Sequence, residues 1–479
     1  MFTGSLMFKF KTIPATALIA LGIASSVSAK NLPASYEVID LGALPVVGTD
    51  PMQSSGFSVN DSGELVGSSI GEFTYTTEVN GVETTQRTNV LHAVRFFEGS
   101  VVPQKIIPES EESTVDAMRR GAFASSVNED GVVAGYRSVE QTINTYTLDS
   151  VDNCIEGTED VLLSHAFYEN GNFNEIMPFV RDGEMLDESI VEYRETRALD
   201  VANSQLVGEA SVIIEKNECN GIADVSLRGM KFDTINEIIS FVDLLEETHN
   251  RSAITSINSN GTFIGHSGLF DLQNNIYREA KAFVATDVNS ISQIVGLEED
   301  SRDTLWDINE NGTYTVGSSN SQAFYYDISN ETAHPIGYLD EQFKFSQALS
   351  VNNDNLVVGV SQLTSIPTSF APFIFDIDAE SSALIDLNTL IDCDSGWNLA
   401  EAREINNQGW IIGSGTTSVE QIDGTFEGEI RAVLLKPRTI EANQSCETTE
   451  AVETGGSING IGLLFLTIFV VYRRYPSLS

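Results

Sequence analysis

The chain has 479 residues, of which 26 are basic and 69 acidic, giving a formal net charge of −43. A surface that acidic repels nucleic acid, anionic lipid and acidic polysaccharide, which removes those partners from consideration. About 425 residues between the two chain ends is more than one simple core spans and suits one large closed domain.

In chain order, residues 1–29 read as an export signal. Lys9 and Lys11 form a basic region, Ile13 to Ile23 is mostly apolar, and Val27-Ser28-Ala29 is a small-residue cleavage site. Processing is expected between Ala29 and Lys30, which makes the mature chain an exported one. Removing this segment and the C-terminal one with Arg473 and Arg474 leaves 22 basic against 69 acidic residues, a net charge of −47.

One phrase then recurs seven times: an apolar residue, Asn or Asp, a few polar residues with Gly or Asn, an apolar run, and a closing Gly. The first copy is Val59-Asn60-Asp61-Ser62-Gly63-Glu64-Leu65-Val66-Gly67, and the closing glycines fall at 67, 135, 208, 265, 317, 359 and 413. Asn in a type I turn bonds the backbone two residues on, and the following Gly suits a left-handed hairpin position. Asn355 replaces that Gly in the sixth copy and tolerates the same conformation, whereas Ser204 in the third does so less readily. The second Gly is expected to close the strand. Most copies continue into a strand built on Ala and an aromatic, such as His165-Ala166-Phe167-Tyr168 or Ala323-Phe324-Tyr325-Tyr326. A short tail strand often follows.

Four short strands per copy make one propeller blade. The chain is therefore read as all-β, a seven-bladed β-propeller over residues 30–437. The alternative is scattered hairpins in one or two β-sandwiches. Ring closure is expected from Tyr36 to Leu41 lying beside Ala432 to Leu435. Three polar insertions, Glu72 to Thr88, Ser138 to Leu163 and Pro178 to Tyr193, read as loops over one face that form an acidic lobe.

The chemistry-bearing residue types point mainly to scaffold. The Asn/Asp-rich turns lack the alternate-oxygen spacing and distal Glu of a calcium loop. His92, His165, His249, His266 and His334 show no metal-ligand spacing, so a zinc site requires tertiary convergence. Gly67-Ser68-Ser69-Ile70-Gly71 matches a hydrolase elbow but is followed by a strand-like run instead of a helix. No phosphate-cradling or dinucleotide motif is present, so no cofactor is expected. Phe96, Phe97, Phe167, Tyr168, Phe324, Tyr325, Phe373 and Phe375 recur with the repeat and read as core between blades. Trp397, in a loop, is the best single candidate for an exposed contact. No catalytic, cofactor-binding or metal residues are assigned.

Residues 438–454 form an acidic linker. Residues 455–479 hold Gly455-Gly456-Ser457, a mostly apolar stretch from Ile458 to Tyr472, and Arg473-Arg474, a basic pair that favours the cytoplasmic side. Four cysteines in an oxidising compartment suggest two disulfides, with three pairings allowed. Loop closure favours Cys154 with Cys219 and Cys393 with Cys446.

The repeats resemble the HAF repeats of bacterial extracellular proteins, carried by His165-Ala166-Phe167 and by the block from Ile385-Asp386-Leu387-Asn388 through Ser395-Gly396-Trp397 to Ile405-Asn406 and Gly413. That resemblance implies a surface or secreted β-rich protein of undefined activity. The C-terminal segment resembles the Gly-Gly sorting signal of Gram-negative bacteria, which implies cutting near Gly455 and Gly456 by a rhomboid-type protease and delivery to the cell surface or release. A permanent single-pass anchor is the alternative, and either way the membrane is met only through the tail. The expected function is a non-enzymatic interaction or structural protein that binds a glycan, matrix polymer or protein. The alternative is a secreted, glycosidase-like hydrolase with carboxylates on the propeller face.

Overall fold

The computed structural model describes residues 32–48, 51–79, 82–108, 121–148, 154–177, 193–216, 222–271, 276–298, 302–365, 368–379, 383–420 and 426–445. The signal segment with Ala29 and Lys30, and the tail with Gly455 and Gly456, lie outside them, as do Cys219 and Cys446. Among the described residues no helix is long and apolar enough to cross a membrane.

The chain is a β-propeller. Among the described residues its strands make seven four-stranded antiparallel meanders, two of which are joined by a single parallel bridge between Leu227 and Arg251. The innermost strands are Ser54–Val59, Ala122–Val127, Tyr193–Ala202, Arg251–Ile257, Asp303–Ile308, Ser346–Val351 and Trp397–Ile405. They define blades one to seven. The seventh blade takes its outermost strand from the start of the domain: Ser35–Asp40 pairs antiparallel with Phe426–Arg438, from Ser35 opposite Arg438 to Asp40 opposite Val433. This is the closure expected from the sequence.

The turn chemistry is as the phrase requires. Gly63, Gly131, Gly261, Gly312 and Gly409 have φ between 71° and 84°, and Asn355 takes the same region at 62°. The third copy differs. Its hairpin tightens to the two residues Asn203-Ser204, between Ala202 and Gln205, and Asn203 is the left-handed one at 50°.

The closing glycines do not end strands. They sit inside the second strand of each blade, where each faces the backbone of the inner strand. A Cβ on any of the seven would lie 1.9–2.1 Å from a carbonyl oxygen there, for example Ser55 O against Gly67 and Gln347 O against Gly359. The Ala-aromatic strand supplies the other half of the fit. Gly135 pairs with Phe167, Gly265 with Phe283, Gly317 with Phe324 and Gly359 with Phe373. These rings are fully buried. At Gly135, Gly265 and Gly359 the ring stands 2.6–2.8 Å from where a Cβ would be, a cross-strand pairing of aromatic with glycine.

Gly359→Ala is therefore expected to cost more than about 2 kcal/mol, through backbone collision and overpacking. Gly171→Ala, a turn position at φ 88° with open space around it, carries only the left-handed penalty of roughly 1–2 kcal/mol. Urea midpoints of the two variants check this, and equal losses would contradict the close-approach account.

Two of the three insertions are strand and not loop. Residues from Glu72 to Thr88 pair with one another as the far part of one hairpin, Leu65–Val79 with Val82–Phe96. Val139–Leu148 likewise pairs with Cys154–Leu163 in the hairpin Val133–Leu148 with Cys154–Glu169. Alternating Thr, Val and Tyr favour extended pairing over irregular loop. The third insertion, up to residue 192, lies outside the described residues. Phe97 also departs from expectation: it is 45% exposed, whereas Phe96, Phe167, Phe324 and Phe373 are core.

Candidate functional site

Each inner strand carries a β-bulge at the same place. The register shifts fall between Gly56 and Ser58, Ala124 and Ser126, Ala198 and Asp200, Ile254 and Ser256, Leu305 and Asp307, Ala348 and Ser350, and Ala402 and Glu404. A bulge sets two successive residues against one on the partner strand and re-aims their side chains. Here both the extra residue and its successor line a central cavity of about 850 Å³ in most blades.

The second bulge residue forms a polar ring: Ser58, Ser126, Asp200, Ser256, Asp307, Ser350 and Glu404. Asp200 accepts from Ser126 Oγ (2.6 Å) and Val201 N (2.8 Å) on one oxygen, and from Ser256 Oγ (2.8 Å) and Ile257 N (2.9 Å) on the other. Asp307 repeats the pattern with Ser256 Oγ (3.1 Å), Ile308 N (2.8 Å), Ser350 Oγ (2.7 Å) and Val351 N (2.9 Å). Glu404 is bonded by Ser58 and Val59 N. Val127 N donates to Ser58 Oγ and Ile405 N to Ser350 Oγ, which completes the circuit through all seven blades. Ser256 Oγ has a single proton and sits between Asp200 Oδ2 and Asp307 Oδ1, so with both aspartates ionised one of these two contacts lacks a proton, and a proton on Asp307 given to Ser256 Oγ completes it.

Burial governs the charge of this ring. Asp307 is pushed up to about 7, by desolvation first and by the Asp200 charge as well, against hydrogen bonds that pull it down. Glu404 is raised well above the usual carboxylate range by burial and by Asp307 and Asp200.

Beyond the ring, toward the turns, the repeat asparagines bind blade to blade. Asn128 Oδ1 accepts from Asp130 N and Val132 N of its own hairpin, while its Nδ2 donates to Asn203 O at 2.9 Å. Asn60 donates to Asn128 O, Asn203 to Ser259 O, Asn258 to Asn309 O, Asn352 to Asn406 O, and Asn406 back to Asn60 O. The fifth blade reaches the sixth through Asn311 N and Asn353 Oδ1 instead. Asp would serve the hairpin but has no N–H for the neighbour, which accounts for Asn at this position. The side-chain oxygens of these repeat asparagines are thus committed to their own hairpins.

On the other side of the ring the sevenfold regularity breaks. Aromatic side chains line the cavity along one arc: Trp306 of blade five, Phe345 and Phe370 of blade six, Phe57 of blade one, and Phe123 and Tyr136 of blade two. Phe345 and Phe370 meet edge-to-face at 5.5 Å, and Phe123 stacks on Tyr136 at 5.1 Å and lies 6.3 Å from Phe57. In the middle of the arc, blade seven contributes Arg403, bound to Glu401 at 2.8 Å, with its guanidinium 5.6 Å from the Phe57 ring. At its end, Arg197 pairs with Glu209 at 2.6 Å and lies 5.9 Å from the Tyr136 ring. Blades three and four present Leu199 and Thr255 instead. Flat rings with fixed polar pairs between them are the furniture of a site for a neutral ligand with apolar faces and hydroxyl edges.

One protein family, described as a protein of unknown function (DUF3466), matches residues 94–454. The chain belongs to that family. No curated protein matches this DUF3466 chain. Among solved structures it is similar to a protein of unknown function from Dyadobacter fermentans, at 10% identity and a TM-score of 0.36 over 85% of this chain and 100% of that one. It is also similar to an α-L-arabinanase of Penicillium chrysogenum, at 12% identity and a TM-score of 0.36, covering 75% and 100%. An α-L-arabinofuranosidase of Fusarium graminearum gives 12% identity and a TM-score of 0.33, covering 84% and 98%.

The residues singled out from sequence fall as follows in this DUF3466 protein. Ser69 of the elbow-like stretch is buried in a strand, where its Oγ accepts from Leu44 N and donates to Gln53 O. His165 bonds Glu175, which Arg137 also holds, a packing role. Trp397, expected as an exposed loop contact, instead opens a strand and is partly buried against the core shared by blades six and seven. Trp306 is the tryptophan that reaches the cavity. Cys154 opens a strand, and Cys393 is disulfide-bonded. The arc itself was missed, because only Phe57 and Trp306 share a position, three residues before the repeat Asn, and the other members come from different places in their blades.

Proposed function

We propose that this chain is an exported, non-enzymatic binding protein whose aromatic arc receives a neutral, carbohydrate-like ligand at the mouth of the central channel. The observation that carries the reading is the confinement of six aromatic side chains to one arc above carboxylates already hydrogen-bonded within the ring. A platform of that kind stacks on apolar faces, and the Arg403–Glu401 pair orients hydroxyls. Export through residues 1–29 and delivery to the surface after a rhomboid-type protease cuts near Gly455-Gly456 complete the proposal, in keeping with the HAF-like repeats. The net charge of −47 turns away anionic polymers.

A glycan array paired with a hydrolysis screen on neutral polysaccharides tests it. Trp306→Ala and Phe370→Ala are expected to weaken binding at least tenfold, about 1.4 kcal/mol, with the urea midpoint of each variant kept close to wild type. Binding unaffected by both substitutions would remove the arc from consideration. The second reading, a hydrolase, draws on the raised Asp307 and Glu404 carboxyls beside a cavity. It requires polysaccharide turnover that Glu404→Gln abolishes.

A further inference from the structure

We infer that Glu246, His249 and Glu279 of blade four form a binding site for a divalent transition metal of zinc type. None of the three lines the central cavity, so the inference is independent of the ligand reading above.

The site is built at the entrance to an inner strand. His249 N donates to Glu246 O at 3.1 Å, closing the turn that leads into Arg251–Ile257. This turn sets the Glu246 carboxyl and the His249 ring on the same side. Glu279 arrives from the third strand of the blade, Ile276–Asp287, opposite Leu269. The ligand atoms of the three residues all lie within 4.8 Å of one another.

The histidine is the observation that singles this cluster out from the many acidic groups of the surface. Its side chain is fully buried, and its Nδ1 lies 2.9 Å from Ser267 Oγ, which also accepts Leu245 N. Its Nε2 is buried without a hydrogen-bond partner and lies 3.9 Å from Glu246 Oε2. Leaving such a group unsatisfied costs about 1–3 kcal/mol. In the tautomer that carries its proton on Nδ1, Ser267 Oγ accepts it and the Nε2 lone pair faces the two carboxylates. A cation there satisfies all three. A ring nitrogen oriented through its other N–H by a fixed oxygen is also how metal-bound histidines are held.

The donor set selects the class of ion. Calcium and magnesium take oxygen ligands, whereas an imidazole with two carboxylates suits zinc and its neighbours. Ligands at about 2.1 Å from a tetrahedral zinc lie roughly 3.4 Å apart, so atoms that stand up to 4.8 Å apart must close by about an ångström or more. Glu246 and Glu279 are 43% and 40% exposed and have room to swing inward. The same exposure leaves coordination positions for water and a path of entry. Lys281 Nζ, 3.8 Å from Glu279 Oε1, is the resident competitor.

Calorimetric titration of the chelator-stripped mature chain with zinc, in excess calcium to occupy the diffuse acidic surface, tests the site. One saturable zinc per chain is expected. His249→Ala and Glu279→Gln are each expected to weaken it at least tenfold, and Lys281→Met to tighten it several-fold by removing the competing cation. Glu279 is half-exposed, so its variant keeps the metal-free unfolding midpoint and serves as the folding control. Absence of saturable binding above calcium, or equal affinity in wild type, His249→Ala and Glu279→Gln, overturns the inference.

Discussion

Removing residues 30–45 is expected to lower the unfolding midpoint of the whole ring in one cooperative step, not to fray one edge. The strand Ser35–Asp40 pairs along its full length with the last strand of the chain, and Leu41 N continues to Ala432 O at 3.0 Å. Tyr36 enters the core shared by blades six and seven, and Leu41 enters the core between blades seven and one. Both are almost fully buried. Each such side chain contributes roughly 1.5–3 kcal/mol by burial, so together with Leu44 the loss is comparable to the ~5–15 kcal/mol that holds an entire domain folded. The deletion also turns Phe426–Arg438 into an open edge that invites association. Calorimetry and light scattering on the truncated protein measure both effects. A melting curve that matches wild type would show that the ring closes without this strand.

The seven hairpins were legible in the sequence because a tight turn depends on local chemistry: the Asn, the left-handed Gly and the flanking aliphatic residues carry their reasons with them. Ring closure was legible as well, since an orphan strand at one end and an incomplete blade at the other have few places to go. What the closing glycines do was not. Their need arises from a carbonyl on the neighbouring strand, brought close by a bulge that has no signature of its own. The polar residue two places before six of the seven repeat asparagines, from Ser58 to Glu404, was visible as a pattern but gains meaning only when the blades meet around an axis. The aromatic arc draws on four blades, and the local Glu246–His249 pair becomes a cluster only when Glu279 arrives from a distant strand, which spacing along the chain does not signal. The hairpin arms were misread as loops because polar composition was weighed above their alternation.

Asp307→Asn is expected to flatten the pH dependence of stability as well as lower it. In the folded protein the carboxyl titrates near 7, against 3.8 for the ordinary group, so between these values the folded state holds a proton that the unfolded chain has released. Stability from this group is present below about pH 4 and is lost as pH rises from about 4 to about 7. Glu404, raised for the same reasons, acts in the same direction. The wild type should therefore be more resistant to urea at pH 5 than at pH 8. The amide does not titrate, and it must turn its NH2 group toward either Ile308 N or Val351 N, backbone donors that cannot reverse. That mismatch costs about 1–3 kcal/mol. At pH 8 the variant is also relieved of the repulsion among Asp200, Asp307 and Glu404, so its deficit relative to wild type should be largest at pH 5 and narrow at pH 8. Urea midpoints at the two pH values decide the matter. Parallel losses at both would mean that Asp307 is ionised throughout, and the account of a proton held within the ring would fall.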